Sequence, residues 1–281
     1  MTELFPENWN HALVVVAHPD DPEYGMAAAV AKWTRVGKKV TYILATSGEA
    51  GIEGMDPAKA GPLREEEQRR AGIQVGVDQL VWLGLPDGKL SETTNLAEAI
   101  RAAIDAHPAE VVITTYMGPE CAPDLPNQPD HIAVGEATLE ALKGRSLWHF
   151  ENGPEPTHHV LVEDGDVQAA VRSFAEHDVY LAVLDPETPV KAQARAQVYS
   201  SIERSDREIR VNFRLLGRPS PALRANAQTL SANAEFAASE LVFGACDVSQ
   251  APRISSGAEN WTLARRPDRW RGGTDDGALA R

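Results

Sequence analysis

Four ionisable side chains lie close together near the N-terminus, in the segment AHPDDPEYG at positions 17–25. They are His18, Asp20, Asp21 and Glu23. The segment follows an apolar run at 12–17, and charged groups at the mouth of a hydrophobic sheet are costly unless a cation or a hydrogen-bond network satisfies them. Imidazole and carboxylate groups are also ligands of many zinc sites. The pattern therefore favours a metal site over the plainer alternative, in which Asp20 or Asp21 only caps the next helix.

A second polar segment, NQPDH at 127–131, follows a later apolar run and a proline-rich loop. It contributes another carboxylate, Asp130, and another histidine, His131. Taken alone, a proline and an acidic residue at such a place are common in the first turn of a helix. Paired with the first segment, His131 becomes the candidate third metal ligand.

The apolar runs before these segments belong to an alternating pattern of elements. We predict strands at 12–18, 39–46, 80–85 and 110–116, and helices at 23–36, 62–75, 96–106 and 131–142. This alternation predicts an α/β fold with a Rossmann-like, mainly parallel sheet and helices on both faces. In such sheets ligands bind beyond the carboxyl ends of the strands, so the active site is expected there. Both polar segments lie at these ends.

The second half of the chain is less regular. We predict strands at 158–162 and 179–184 with a helix at 167–176 between them, and then helices at 190–212 and 222–243. After position 246 the composition changes to Gly, Pro, Arg and Asp without periodicity. The chain is therefore interpreted as one catalytic domain over 1–246, followed by a partly irregular C-terminal extension, 247–281.

Charge and composition argue against several functions. The 281 residues include 27 Lys and Arg against 41 Asp and Glu, a formal net charge of −14, and no basic run that would bind nucleic acid. A glycine-rich phosphate loop is also absent from the sequence. The two cysteines, Cys121 and Cys246, form no CxxC pair, which excludes a disulfide scaffold and a cysteine-based zinc site.

The apolar run at 12–17 is too short for a signal segment or a membrane span. We therefore expect a cytoplasmic protein without membrane insertion. The sequence leaves the oligomeric state open and is compatible with a homo-oligomer.

On its motifs the sequence resembles the LmbE-like, PIG-L-type family of zinc-dependent N-acetylglucosaminyl deacetylases, which includes mycothiol and bacillithiol biosynthetic deacetylases. The resemblance is carried by AHPDDPE at 17–23 and PDH at 129–131. Weaker matches are TSGEAG at 46–51, LREEEQRRA at 63–71 and WLGLPDG at 82–88. The resemblance implies the LmbE-like variant of the Rossmann-like fold. It also implies a small-molecule partner, an N-acetylated sugar or sugar conjugate.

The resemblance further implies a role for each motif residue. Zn²⁺, or another divalent metal, would be held by His18, Asp21 and His131. Asp20 would be the general base, and Asp130 would lie behind a ligand and orient it. The residues matching family positions that bind the sugar or its aglycone are Glu49, Arg64 and Asp87. For Arg64 an ion pair with Glu67 on the helix surface is an equal alternative.

Gln128 departs from the family pattern, which usually has the first histidine of a His-Pro-Asp-His motif at this place. That histidine is taken to stabilise the oxyanion or to protonate the leaving amine. A glutamine can donate a hydrogen bond but cannot deliver a proton. We therefore expect Gln128 to act as a catalytic hydrogen-bond donor while Asp20 serves as base and then as acid. By residue type alone, alternative proton donors are His149, His158 and His159.

The leading hypothesis is a zinc-dependent hydrolase that removes an acetyl group from an N-acetylated amino sugar or sugar conjugate. One alternative is an amidase that acts on a thiol conjugate or a natural-product precursor. Another is a metal- or sugar-binding protein with a degenerate site and no activity. The presence of Asp20 favours the enzymes, because a binding module needs no unligated carboxylate beside its metal.

Overall fold

A computed structural model describes residues 2–122 and 125–219. Its strands are β1 (Glu3–Leu4), β2 (His11–Val16), β3 (Lys39–Leu44), β4 (Gln79–Trp82), β5 (Val111–Thr115), β6 (Glu120–Ala122), β7 (Leu125–Pro126), β8 (Trp148–Asn152), β9 (His158–Val162), β10 (Glu203–Arg204) and β11 (Ile209–Gly217). Its helices are α1 (Asp21–Gly25), α2 (Ala27–Arg35), α3 (Pro57–Gln74), α4 (Leu96–Ala106), α5 (Pro129–Ala141), α6 (Asp164–Phe174), α7 (Asp178–Leu184) and α8 (Val190–Ser200).

A single large sheet forms the centre of the described residues. Its strand order is β1-β9-β11-β8-β5-β2-β3-β4, with β10 beside β11. Within the run β8-β5-β2-β3-β4 every adjacent pair is parallel, and β1 is parallel to β9. Only β10 and β11 introduce antiparallel pairs within the described sheet. The predicted α/β fold with a mainly parallel sheet is therefore confirmed.

The apolar run at 12–17 contains no polar residue because strand β2, which it largely forms, is buried on both faces of the sheet. Successive strand residues face opposite sides of a sheet. Val14 and Val16 are buried in one apolar cluster with residues of α2 and α6. Leu13 and Val15 are buried in a second cluster with residues of α4 and α5. Burial of each such side chain contributes about 2 kcal/mol, and the helices cover both faces of the sheet as predicted.

The strand register brings the two polar segments to the same edge. Val16 of β2 lies beside Leu44 of β3, and Thr115 of β5 lies beside Asn152 of β8. Because these strands are parallel, the loops that follow β2, β3, β4 and β5 all leave the sheet at its carboxyl edge. The segments at 17–25 and 127–131 therefore meet there.

The prediction of a strand at 179–184 is wrong, because this segment belongs to helix α7. A short apolar run does not distinguish a strand from a helix by its periodicity. The decisive interaction comes from Glu67, whose Oε1 accepts hydrogen bonds from the backbone N–H of Val179 at 2.8 Å and of Tyr180 at 3.4 Å. These N–H groups lie in the first turn of α7, where a helix leaves its donors unpaired.

The predicted helix at 190–212 is correct only as far as Ser200, where α8 ends. Strand β11 then shows a period of two, with Ile209, Val211 and Phe213 buried. The hydroxyls of Ser200 and Ser201 donate to carbonyls three residues back, an interaction that competes with continuation of a helix.

Other boundaries also differ from the sequence prediction. Helix α3 begins at Pro57 rather than at position 62, because the Asp56 side chain accepts from the N–H of Ala58 at 3.0 Å and caps it. Strand β8 was not predicted. The predicted helix at 222–243, the boundary at 246 and the extension 247–281 lie outside the described residues. Within residues 2–122 and 125–219, no helix combines the length and apolarity needed to cross a bilayer.

The burial of His149 predicts that the free energy of unfolding falls as the pH is lowered. It is buried in β8, and its Nε2 has no hydrogen-bond partner among the described residues. Burial lowers the pKa of His149 to about 4. Between its ordinary pKa near 6.5 and pH 4, the unfolded chain binds a proton that the folded chain does not. The contribution of His149 is therefore complete above about pH 6.5 and is lost as the pH falls towards 4.

Acidification from about pH 7 to pH 4.5 lowers the free energy of unfolding of both proteins. We expect the decrease to be about 2 kcal/mol smaller in the His149→Gln variant than in the wild type. Urea denaturation at the two pH values measures the difference. An equal loss in both proteins would contradict this role of His149.

Candidate active site

Two adjacent buried aspartates follow β2, and they have different partners. Asp20 has a left-handed backbone, with φ 85° and ψ −25°, and Asp21 begins helix α1. A non-glycine residue in this region costs about 1 kcal/mol or more, so surrounding contacts must hold it. The carboxylate of Asp20 contacts Arg64, whereas that of Asp21 contacts His131. The turn thus separates two neighbouring carboxylates into two environments.

The two carboxylate oxygens of Asp21 have different hydrogen-bond partners. Its Oδ2 accepts hydrogen bonds from the backbone N–H of Ala17 at 3.0 Å and of His18 at 2.9 Å. Its Oδ1 lies 3.0 Å from Nε2 of His131. Although burial acts in the opposite direction, the two histidines hold the pKa of Asp21 well below its usual range. Asp21 is therefore an anion with one oxygen fixed by the backbone and the other facing the site.

His131 is oriented by Asn127, a residue that the sequence analysis did not single out. The amide nitrogen of Asn127 donates to the carbonyls of Tyr116 and Gly118, so its oxygen faces Nδ1 of His131 at 3.2 Å. That oxygen accepts the Nδ1 proton, so Nε2 is the nitrogen that faces Asp21 and that a metal would bind in place of a proton. Such support from behind is typical of metal-binding histidines.

His18 is oriented in the same way by two carboxylates. Its Nε2 lies 3.1 Å from Oδ1 of Asp87 and 3.5 Å from Oδ2 of Asp130. Asp130 is itself fixed by the backbone N–H groups of Gly88 and Leu90. With a proton on Nε2, Nδ1 is the nitrogen left for a metal, and it lies 3.7 Å from Oδ2 of Asp21. Asp130 therefore lies behind His18.

Among the described residues, two groups could hold a metal ion, each with ligand atoms within 4.8 Å of one another. The first is His18, Asp21 and His131, and the second is His18, Asp87 and Asp130. In the second group both Asp130 oxygens already accept backbone N–H groups. In the first group each histidine has an acceptor for its other nitrogen. The donor set of two imidazoles and one carboxylate also suits catalytic zinc. The first group, the predicted one, is the better fit.

Asp20 supplies a carboxylate that is separate from this group. Its Oδ1 lies 3.1 Å from Nη2 of Arg64, while its Oδ2 is buried without a hydrogen-bond partner in the part of the chain that the structure describes. Burial raises the pKa of Asp20 to about 6, against the opposing effect of Arg64 and with an added rise from Asp21. A carboxylate with one unpaired oxygen at the cavity wall can accept a proton.

Gln68 is a further residue that the sequence analysis missed. Its Oε1 accepts the backbone N–H of Asp20 at 2.7 Å, and its Nε2 lies 3.3 Å from both oxygens of Glu23. It lies within the charged run EEEQRR and looks like a surface residue there. The spacing of Arg64, Gln68 and Ala71 on one buried helix face is the signal that could have identified it.

The three predicted substrate contacts lie around the same loops. Arg64 donates to the carbonyls of Pro19 and Gly48, so it is a buried loop anchor rather than a surface partner of Glu67. Asp87 accepts from the N–H of Ala50, and Glu49 accepts from the N–H of Asp87. Arg64 and Asp87 line the cavity beside the histidines. The carboxylate of Glu49 instead joins the two loops.

A cavity of about 550 Å³ opens above these groups. Its wall includes the predicted catalytic and metal-binding residues His18, Asp20, Asp21, Gln128 and His131. The amide of Gln128 makes no capping hydrogen bond to α5, although the residue occupies the N-cap position. The described lining does not include the alternative proton donors, His149, His158 and His159. Of the proposed acid–base groups, Asp20 is therefore the one that lies in the described lining beside the predicted ligands.

Comparison with known proteins is consistent with this arrangement. Residues 13–142 match the family model for GlcNAc-PI de-N-acetylase, PIG-L. A probable N-acetyl-alpha-D-glucosaminyl L-malate deacetylase 2 of Bacillus subtilis is 34% identical over 139 residues, which cover 47% of this chain and 60% of that protein. A 1D-myo-inositol 2-acetamido-2-deoxy-alpha-D-glucopyranoside deacetylase of Kineococcus radiotolerans is 30% identical over 217 residues, covering 63% and 59%. The chain thus spans about three fifths of the length of these curated relatives.

Solved structures show the same fold at low sequence identity. N,N'-diacetylchitobiose deacetylase from Pyrococcus horikoshii superposes with a TM-score of 0.56 at 17% identity, covering 74% of this chain and 84% of that chain. The conserved protein TT1542 from Thermus thermophilus gives a TM-score of 0.52 at 21% identity, covering 75% and 94%.

The choice between the two candidate ligand groups is testable by metal binding. We expect one Zn²⁺ per chain in isothermal titration of chelator-stripped protein. Asp21→Asn and His131→Ala should weaken binding by well over about 100-fold, whereas Asp87→Asn should weaken it by about 10–100-fold, because Asp87 only supports His18. The reverse ranking would assign the ion to His18, Asp87 and Asp130.

Proposed function

From the match of residues 13–142 to the PIG-L family model, we propose that the protein is a zinc-dependent N-deacetylase of an N-acetylated amino sugar or sugar conjugate. One observation carries the proposal. Beside the group formed by His18, Asp21 and His131, the carboxylate of Asp20 is buried and retains an oxygen without a partner among the described residues. This combination of a ligand set with a separate base is what amide hydrolysis needs.

Zn²⁺ bound by the two histidines and Asp21 would acidify a water molecule and polarise the amide carbonyl. The chain's own residues perform the proton transfers. Asp20 takes a proton from the attacking water through its unpaired Oδ2 while Arg64 holds Oδ1. As the carbon–nitrogen bond breaks, the same carboxyl group returns the proton to the leaving nitrogen, and the products are the free amine and acetic acid, which ionises to acetate at neutral pH.

Gln128 completes the proposed machinery as a hydrogen-bond donor. It lines the cavity with His131, and its side chain is not used to cap α5. An amide donor directed at the carbonyl oxygen stabilises the charge that develops there. Because an amide cannot release a proton, the acid role stays with Asp20.

A non-catalytic metal- or sugar-binding protein is the less favoured alternative, since binding alone gives no reason to bury Asp20 without pairing both of its oxygens. An amidase for another conjugate would use the same site and is distinguished by substrate. A cytoplasmic location and a possible homo-oligomeric state remain predictions from the sequence.

The activity is tested by measuring acetate release from a panel of N-acetylated amino sugars, with and without a chelator. We expect release that the chelator abolishes and added Zn²⁺ restores. Asp20→Asn should retain the metal and lose about 10²–10⁴ in turnover, the usual worth of a general base. Loss of Zn²⁺ in this variant would show that the roles of Asp20 and Asp21 are exchanged, and full activity would exclude Asp20 as the base.

Gln128 gives a separate prediction. Gln128→Ala should lower turnover by about 10²–10³, the worth of one oxyanion donor, without changing which groups titrate in the pH–rate profile. Gln128→His introduces a new ionisable group and should alter the basic limb of that profile. If Gln128→Ala matches the wild type on every substrate that releases acetate, Gln128 has no catalytic role.

A further inference from the structure

The cavity provides no free cation among its described lining residues. Their acidic members are Asp20, Asp21 and Asp87, and their one Lys or Arg is Arg64. Arg64 is only 2% exposed. Its Nη1 donates to the carbonyl of Gly48, and its Nη2 contacts the carbonyl of Pro19 and Oδ1 of Asp20. A negatively charged substituent that lies beyond the reach of the proposed metal would therefore lose water without gaining an ionic partner among these residues, which is costly.

An aromatic ring further shields the guanidinium of Arg64. The Cζ atom of Arg64 lies 4.0 Å from the ring centroid of Tyr180, which also lines the cavity. This is cation–π geometry, and it occupies one face of the guanidinium. Where an anion-binding cavity would offer a positive charge, this one offers the side chain of a tyrosine.

The cavity wall is rich in aromatic and apolar surface. Tyrosines reach it from three separate elements, Tyr24 of α1, Tyr116 after β5 and Tyr180 of α7. Leu125 of the β6–β7 hairpin adds an aliphatic group that is 56% exposed. Exposed apolar groups that converge on one cavity are typical of ligand-binding walls.

The position of Tyr116 depends on two glycines. A Cβ atom at Gly153 would lie 2.7 Å from Cδ2 of Tyr116, and one at Gly118 would lie 2.0 Å from its hydroxyl oxygen. Both distances are too short for a real contact. The absence of side chains at these positions is what lets the tyrosine ring lie against the backbone at the wall of the cavity.

We propose that this cavity selects amino-sugar conjugates whose aglycone is uncharged and aromatic, and that it discriminates against anionic aglycones. The inference rests on the proposed deacetylase function and specifies its substrate class. It differs from what the name of the Bacillus subtilis relative says of that protein, since L-malate carries carboxylates. The tyrosine rings contact the aryl group, and the described lining offers no free side-chain cation to a carboxylate on the aglycone.

The experiment compares four conjugates of N-acetylglucosamine as both anomers: the methyl, phenyl, 4-carboxyphenyl and 4-carbamoylphenyl glycosides. The last two differ in charge but hardly in shape. We expect kcat/KM for acetate release to be about tenfold higher for the phenyl than for the methyl glycoside, the worth of one or two aromatic contacts. The carboxyphenyl compound should be at least about tenfold poorer than its carbamoyl counterpart.

Two variant pairs test the residues. Tyr116→Ala should bring the phenyl-to-methyl ratio close to one, whereas Tyr199→Ala, on α8 and outside the cavity lining, should leave that ratio unchanged. Leu125→Lys should raise the ratio of carboxyphenyl to carbamoylphenyl turnover, and Leu125→Gln should not. These are ratios between substrates, so a general loss of stability does not move them.

The outcomes separate this inference from the function on which it rests. Acetate release from the methyl glycoside, with no phenyl preference or with an unimpaired carboxyphenyl substrate, would overturn the inference and leave the deacetylase intact. Release from none of the four by zinc-loaded protein would overturn both.

Discussion

Burial of two consecutive carboxylates at the end of an apolar strand is the constraint on which this site depends. Asp20 and Asp21 are both nearly inaccessible, and like charges this close destabilise each other. The left-handed backbone of Asp20 resolves the conflict, because it gives each carboxylate its own set of partners. Asp21 is held by N–H groups of its own loop, and Asp20 is held by helix α3.

Helix α3 holds the strained turn through two side chains one helical turn apart. Arg64 contacts the carbonyl of Pro19 and the carboxylate of Asp20, while Gln68 accepts the N–H of Asp20. Gln68 is in turn oriented by Glu23, which accepts a hydrogen bond from Ser173 of α6 at 2.9 Å. The conformation of the proposed base is thus set by a buried chain of contacts that reaches a helix about 150 residues away in sequence. Buried polar contacts of this kind rigidify a site, and here they leave Oδ2 of Asp20 without a partner among the described residues.

Much of the fold could be predicted because β2, β3 and β5 are mainly apolar runs, a pattern that burial on both faces of a sheet favours. The convergence of His18, Asp21 and His131 could be predicted for a related reason, since parallel strands bring their carboxyl ends to one edge. The helical conformation of α7 could not be predicted, because a short apolar run has no decisive period. It is fixed by Glu67 of another helix, which accepts a backbone N–H from the first turn of α7. Gln68 and Asn127 were missed because neutral amides become informative only when their tertiary partners are known.

The place of β11 in the sheet has a consequence for the order in which the protein assembles during synthesis. β11 is the last of the described strands in sequence, yet it lies between β8 and β9, and β1 joins the sheet only through β9. All three proposed metal ligands precede residue 132, and they follow β2 and β5, which lie in the other half of the strand order. A nascent chain can therefore pair the four strands β2, β3, β4 and β5 with one another, and so bring these ligands together, early in synthesis. Its first strand waits unpaired in the sheet until β9, and then β11, has left the ribosome, a long-range closure that favours slow final folding.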